Sequence, residues 1–126
     1  LTVLSGDGES NTEDDENQLA MALSNSAPIF LRLGFREDAL SAAQQSVQRR
    51  RRLRELNPAK FAASLAHSLW TEAFILSHPG ISRTEALTKA REAQSIFSGL
   101  QAMVFSQHKQ WIDGLQDLID TIESNP

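Results

Sequence analysis

The stretch Arg36-Glu37-Asp38-Ala39-Leu40 decides the fold, because it recurs 47 residues later as Arg83-Thr84-Glu85-Ala86-Leu87. A second stretch, Leu19-Ala20-x-x-Leu23, recurs 46 residues later as Leu65-Ala66-x-x-Leu69. Self-similarity at one period of about 20 to 50 residues is typical of repeat proteins, whose units bury their apolar faces by stacking. Residues 111–119 also repeat the apolar spacing of residues 61–69. The sequence therefore predicts two helical hairpins followed by the first helix of a third unit.

Apolar residues recur at helical spacing from Asn17 onward, with no strand-like alternation. Four helices are predicted over about residues 17–33, 36–56, 58–78 and 83–97, and a fifth follows with an uncertain start. Glycine and proline mark the breaks between them. The predicted inward-facing residues are Leu19, Leu23, Phe30 and Leu33; Ala39, Leu40, Ala43, Val47, Leu53 and Leu56; Phe61, Leu65, Leu69, Ala73 and Leu76; Ala86, Leu87, Ala90, Ala93 and Phe97; and His108, Trp111, Ile112, Leu115, Leu118, Ile119 and Ile122.

Composition excludes several classes of function. The chain has no cysteine, which excludes a disulfide framework, a thiolate metal site and a cysteine nucleophile. It has no run of about 18 apolar residues and no signal-peptide pattern. We therefore expect an intracellular, cytoplasmic protein that does not enter a membrane.

Charge is distributed unevenly. The net charge is −4, while residues 1–16 carry six acids and no base, which leaves a positive remainder. Gly, Ser, Asn and acids without large apolar residues do not bury enough surface to offset their ordering entropy. The sequence thus predicts a disordered acidic linker over residues 1–16 and a helical repeat domain over residues 17–126. Five arginines form a basic ridge on the second helix: Arg49, Arg50, Arg51, Arg52 and Arg54.

Residues 23–40, from Leu-Ser-Asn through Leu-Gly-Phe-Arg-Glu-Asp-Ala-Leu, and residues 53–61, which end in Asn-Pro-Ala-Lys-Phe, carry a family pattern. The chain resembles the long-helix tetratricopeptide repeats (TPR) of kinesin light chains and of bacterial and fungal NTPase-receptor arrays. The resemblance covers residues 19–100 well and the last helix weakly. It implies an all-α, right-handed superhelical stack of antiparallel hairpins with a C-terminal capping helix. Glu72 departs from the family pattern, because a packed leucine usually occupies its place.

The resemblance also implies a concave groove lined by the first helix of each hairpin, where similar proteins hold peptides or partner helices. Asn25 matches a family asparagine that contacts ligand, and Thr71 holds the same place in the second repeat. The register places Met21 and Ser24 in the groove as well. The predicted partner-binding residues are Asn25, Arg32, His67, Trp70, Thr71 and Phe74. For Trp70 and Phe74, packing against the last helix or the N-terminal segment is an alternative.

Other chemical sites receive little support from the sequence. The histidines are isolated, so we predict no metal site and no cofactor. The carboxylate pairs Glu37-Asp38 and Asp113 with Asp117 suit a helix surface better than acid–base catalysis. The basic ridge could contact phosphates, but it lacks stacking aromatics, so a solvated helix face is favoured over nucleic-acid binding.

The sequence leaves three functions open. The leading prediction is a non-catalytic protein–protein interaction module that binds a peptide or a partner helix in the groove. The first alternative is a C-terminal cap of a longer repeat array that mediates self-association, in which the acids of the last helix pair with the basic ridge of a neighbour. The second alternative is phosphate or nucleic-acid binding through that ridge.

Overall fold

Five helices make up the computed structural model, which describes residues 4–101 and 105–124, with side chains described over residues 12–100 and 110–124. The helices are α1 (Leu4–Arg32), α2 (Arg36–Leu56), α3 (Pro58–Leu76), α4 (Arg83–Gln101) and α5 (Phe105–Ser124). Each helix packs against the next, and α1 also packs against α3. No strand occurs in the described part of the chain. The predicted all-α stack of helical hairpins is therefore confirmed.

The breaks between helices follow from local chemistry. Gly34 ends α1 at a φ of 90°, and Phe35 then donates its backbone N–H to the carbonyl of Phe30 at 2.9 Å. Only glycine adopts that φ without strain. Asn57 separates α2 from α3, and its side chain accepts a hydrogen bond from the Lys60 backbone N–H at 3.3 Å. Pro58 then occupies the first turn of α3, where its missing donor costs nothing.

The N-terminal acidic segment differs from its predicted form. The sequence predicted disorder over residues 1–16, whereas α1 begins at Leu4. Three ion pairs hold the last residues of that segment to the domain: Asp14 contacts Lys60 at 3.1 Å, and Glu16 contacts Arg49 at 2.9 Å and Arg52 at 2.8 Å. Ion pairs thus attach this part of α1 to the domain, where the sequence has no large apolar residues to pack. A linker role for residues 1–16, and the domain boundary after residue 16, stay predictions.

The main core lies around α3. Each predicted inward residue of α3 is buried, and those of α4 and α5 with described side chains are buried or half-buried. His108 lies outside the residues whose side chains are described. One contiguous cluster joins four helices through Val47, Leu65, Ala66, Leu69, Ala73, Ala90, Ala93, Phe97, Leu115 and Ile119.

The prediction of burial is wrong for three residues. Leu33 and Leu56 are 64% and 70% exposed, and Leu19 is nearly half exposed. Leu33 and Leu56 are the last apolar residues before the breaks at Gly34 and Asn57, where the chain turns away from the core. Leu19 lies on the outer side of the first hairpin. The exposed apolar residues on that side of α1 and directly after its last residue, hereafter the α1 stripe, are Leu19, Ile29 and Leu33.

The last helix presents a polar outer side. Its exposed residues include Asp113, Gln116, Asp117 and Asp120. Arg83 of α4 donates from Nε to the Ile122 carbonyl at 3.0 Å and so caps the C-terminal end of α5. Arg91 pairs with Glu123. An arginine of α4 in the same chain is therefore the partner of this terminal acid, and its predicted pairing with the basic ridge of a neighbour finds no support here.

Candidate partner-binding groove

A continuous groove runs between α1 and α3. Three adjoining cavities form it, with volumes of about 370, 300 and 420 Å³. Neighbouring cavities share wall residues: His67 and Thr71 join the first two, and Pro28 and Phe74 join the last two. All six predicted partner-binding residues line this groove: Asn25, Arg32, His67, Trp70, Thr71 and Phe74. The structure thus brings together the residues that the repeat register placed on one face.

Arg50 lines the cavity of about 370 Å³, hereafter the first cavity, although it belongs to α2 rather than to α1 or α3. Only 5% of its surface is exposed. Its Nε donates to Asn17 Oδ1 at 3.0 Å, and its Nη1 donates to the Ser64 carbonyl at 3.1 Å and to Ser68 Oγ at 3.0 Å. The prediction of a solvated arginine face is therefore wrong at this position, because Arg50 crosses the interior between α1 and α3.

Three buried serines, one each on α1, α2 and α3, extend the hydrogen-bond network of Arg50. Ser46 Oγ donates to the Ala20 carbonyl at 2.7 Å, and it lies 2.8 Å from Ser24 Oγ and 2.7 Å from Ser68 Oγ. A hydroxyl has one proton, so Ser46 must accept from the other two serines. The resulting relay runs from Arg50 through Ser68 and Ser46 to α1. Polar groups that are buried and fully satisfied in this way fix one arrangement of their helices.

An aromatic cluster forms the wall of the groove next to α5. The His67 ring lies 4.4 Å from that of Trp111 and 5.9 Å from that of Trp70, measured between centroids. A Cβ added at Gly114 of α5 would lie 2.9 Å from the Trp70 ring, so glycine is what admits the indole. Trp70 thus packs against the last helix, which favours the structural alternative for this residue, while part of it still lines the groove.

Phe74 differs from Trp70, because 40% of its surface is exposed. Its ring meets His78 edge-on at a centroid distance of 4.9 Å. The His78 Nδ1 lies 2.9 Å from the Phe74 carbonyl, which holds the imidazole beside the ring. Arg32 lines the same end of the groove. An aromatic ring next to a cation offers a partner both apolar area and charge.

The basic ridge does not form one surface. Arg49 and Arg52 both donate to Glu16 Oε2, at 2.9 and 2.8 Å. Burial raises the pKa of Glu16, but hydrogen bonds from the two arginines outweigh it and hold the pKa below its usual value. Arg51 instead contacts Glu92 of α4 through two hydrogen bonds of 2.7 and 3.0 Å. Apart from Arg54, each ridge arginine therefore already has acceptors within the chain.

Glu72 is buried on α3, where the sequence resemblance expected a packed leucine. Its Oε1 lies 3.8 Å from Lys89 Nζ and is the one buried side-chain oxygen or nitrogen without a hydrogen-bond partner among the described residues. Burial raises the pKa of Glu72, and the positive charges of Lys89 and Arg51 offset part of that effect. A carboxylate held this way destabilises the fold.

The described residues hold no group of three or more potential metal-ligating side chains. None of the described helices is both long and apolar enough to cross a bilayer. The sequence matches no protein-family model, and comparisons with curated proteins and with solved structures found no similar chain.

Proposed function

We propose that this chain is a non-catalytic protein–protein interaction module of the tetratricopeptide type, which binds a peptide or partner helix in the groove between α1 and α3. The observation that carries the proposal is the continuity of the groove, which combines exposed apolar surface at Met21 and Phe74 with polar groups at Asn25 and Thr71. Ligand sites typically combine apolar walls with a few placed polar groups.

Binding energy in such a groove is concentrated in a few anchors, of which aromatic residues are the most frequent. Phe74 is the exposed aromatic side chain of the groove, whereas Trp70 supports its wall. The two residues therefore have different roles in the proposal. Phe74 contributes contact area to the partner, and Trp70 holds the position of α5.

Selection of a phage-displayed random heptapeptide library on the purified protein tests the proposal. Phe74→Ala should weaken a selected peptide at least tenfold and lower the free energy of unfolding by only about 1 kcal/mol, because the ring is already 40% exposed. Trp70→Ala should instead lower stability by about 3 kcal/mol or more. The matched control is Leu56→Ala, which removes an exposed apolar side chain that lines none of the three cavities. Peptides whose affinity is unchanged by Phe74→Ala would contradict groove binding.

A second candidate is a C-terminal cap of a longer repeat array. It is favoured by the contrast between the apolar α1 stripe and the polar outer side of α5. Terminal repeats need a polar outer face, while an interior face needs a neighbour. Sedimentation velocity tests it: the protein should self-associate through the α1 stripe, and serine at Leu19, Ile29 and Leu33 should abolish this. Serine at Asp117 and Asp120 is the control. A wild-type monomer at all concentrations would count against this candidate.

Nucleic-acid binding through the basic ridge stays a prediction. The contacts of Arg49, Arg51 and Arg52 with carboxylates disfavour it, because a phosphate would have to displace Glu16 or Glu92. An Arg pairing with a carboxylate through two bonds is among the stronger surface ion pairs.

A further inference from the structure

The α1 stripe has the residue spacing of a helix–helix seam. Ala22 and Ser26 lie between its large apolar residues Leu19, Ile29 and Leu33, so that successive positions are three, four, three and four residues apart. Positions spaced in this way stay on one side of a helix, as the seam of a coiled coil does. Leu33 keeps this spacing beyond the last residue of α1, because its backbone N–H donates to the Ile29 carbonyl at 3.1 Å.

The centre of the seam can be buried without leaving a polar group unsatisfied. Ser26 Oγ donates to the Ala22 carbonyl of the same helix at 2.8 Å. A hydroxyl that already has its acceptor keeps that hydrogen bond when a partner covers it. The exposed polar residues Gln18 and Asn25 border the seam on one side. An apolar centre with a polar rim is the usual composition of a protein–protein interface.

Charge along α1 runs from acidic to basic. Every acid of α1 lies before residue 17, and its one base, Arg32, lies in the last turn. Asp15 and Arg32 are both exposed, and neither has an ion-pair partner among the described residues. Asp15 precedes Leu19 by four residues and Arg32 follows Ile29 by three, so each lies at one end of the seam.

This order of charges selects both a partner and an orientation. A second α1 that runs antiparallel to the first brings the acidic end of each helix beside the basic end of the other. A parallel arrangement would oppose acids with acids and Arg32 with Arg32. Charged residues that flank a helix–helix seam set the choice of partner and its direction in this way. The surface is therefore complementary to itself in one orientation.

We propose that the α1 stripe is the interface of a symmetric dimer, in which α1 packs antiparallel against α1 of a second copy of this chain. This inference rests on the second candidate function, self-association through the α1 stripe, and names the partner and its orientation. A two-fold interface uses the same patch on both copies and must be self-complementary.

The apolar pairs and the ion pairs form in one register. In an antiparallel pair, a step forward on one helix matches a step back on the other. Opposing Ala22 with Ser26 of the second copy therefore also opposes Leu19 with Ile29, three residues further out on each helix. A further step of four residues brings Asp15 to the end of the helix that carries Arg32. The large side chains thus meet each other on both sides of a small centre, and each dimer gains two ion pairs.

The proposed dimer leaves the groove open. Pro28 follows Leu19 by nine residues, which is half a turn around α1, and Pro28 lines two of the three groove cavities. The groove and the α1 stripe consequently lie on different sides of the helix. Dimer formation and peptide binding can therefore be measured independently on the wild-type protein.

Reversal of the two charges tests the ion pairs. In sedimentation velocity, Arg32→Asp and Asp15→Arg should each weaken the wild-type dimer at least fivefold, because each opposes like charges at both ends of the seam. The double variant should return the dissociation constant to within about twofold of wild type, since restored pairing shows as non-additivity. Higher salt should weaken the wild-type dimer and not the stripe contacts. Asp117→Arg, on the outer side of α5, is the control and should change nothing.

Disulfide trapping tests the orientation. The chain has no cysteine of its own, so introduced thiols are unique. An equimolar mixture of Ala22→Cys and Ser26→Cys, equilibrated in a glutathione buffer, should form the mixed disulfide at least tenfold in excess of either symmetric one by mass spectrometry. A parallel pair would instead join Ala22→Cys to itself. Disulfides require Cα atoms about 4.4–6.8 Å apart, so residues one turn out of register do not form one readily.

The outcomes separate this inference from the functions on which it depends. A dimer that serine substitution of the α1 stripe abolishes, but that shows no charge rescue or forms symmetric disulfides, overturns the antiparallel pairing while self-association stands. A wild-type monomer at every concentration overturns both. Enrichment of groove-binding peptides is measured separately and is unaffected by either result. If Arg32→Asp unfolds by circular dichroism, Asp15→Arg and the disulfide mixture still decide the question.

Discussion

Replacing Glu72 with leucine should stabilise this protein. Glu72 is 4% exposed, its nearest base is 3.8 Å away, and its Oε1 has no hydrogen-bond partner. The carboxylate has therefore lost its hydration without gaining a close ion pair. Its neighbours do not depend on it: Arg51 is already paired with Glu92, and Lys89 keeps a quarter of its side chain in solvent.

The magnitude follows from two opposing contributions. Leucine adds the burial of an aliphatic side chain, worth about 1.5–3 kcal/mol, while the weak attraction to Lys89 is lost. Replacement of a buried ion pair by apolar residues is often stabilising by about 1–4 kcal/mol. We expect the free energy of unfolding to rise by about 1–2 kcal/mol at pH 7.

Urea denaturation followed by circular dichroism measures this change. With a slope of about 2 kcal/mol per molar urea, the midpoint should rise by roughly 0.5–1 M. Glu72→Gln is the control that removes the charge but keeps the shape, and its gain should be smaller because the buried amide still lacks partners.

The effect should depend on pH in one direction. Burial raises the pKa of folded Glu72 above its unfolded value, so the folded state holds the proton more tightly. Its contribution to stability is complete below the unfolded pKa and is lost as the pH rises through the folded pKa. The advantage of Glu72→Leu should therefore be smallest near pH 4 and grow toward pH 7. The reasoning would be refuted if Glu72→Leu unfolded at a lower urea midpoint than wild type at pH 7, with the same dependence on urea concentration. That result would show that the contact of Glu72 with Lys89 outweighs the cost of desolvating the carboxylate.

Three further predictions concern the packing around α4 and α5. Phe97→Ala should lower the free energy of unfolding by about 3–5 kcal/mol, measured by thermal denaturation, because the ring is fully buried in the main core. Gly114→Ala gains about 1 kcal/mol of helix propensity but forces a Cβ to within 2.9 Å of the Trp70 ring; overpacking should dominate, with a net loss of about 1–2 kcal/mol and altered tryptophan fluorescence. Glu92→Gln should lower stability at pH 7 by an amount that shrinks as the pH falls, because hydrogen bonds from its arginine partner lower the pKa of Glu92, and that stabilisation is lost as the pH falls through the folded pKa.

The spacing of apolar residues predicted most of the helical fold. The same spacing also indicated that one charged residue of α2 faces inward, although the arginine run around that residue favoured solvent exposure. Ala43, Val47 and Leu53 leave a gap in the 3–4 spacing of α2, and Arg50 fills it. Its inward position was therefore implied by its register, yet its place within an arginine run favoured a solvated side chain. Glu72 on α3 is also a charged residue at an inward-facing position. A packed leucine usually occupies this position, and Glu72 is buried there despite its charge.

Other features depend on contacts that one sequence does not specify. The exposure of Leu19 follows from the absence of a packing partner on the outer side of α1 among the described residues, and apolar spacing cannot reveal that. The position of Trp70 required knowledge that Gly114 lies opposite it, more than forty residues away along the chain. Long-range pairings of this kind are set by the packing of whole helices rather than by local propensity.

The choice of arginine at position 50 follows from the geometry of the groove floor. A guanidinium presents donors in a fixed fork, so its Nε and Nη1 atoms can donate to Asn17, Ser64 and Ser68 at the same time. A lysine would have to make these contacts from one ammonium group, which lacks that fixed planar geometry. The relay through Ser46 ties the same arginine to α1, so one buried side chain on α2 fixes the positions of α1 and α3 relative to its own helix.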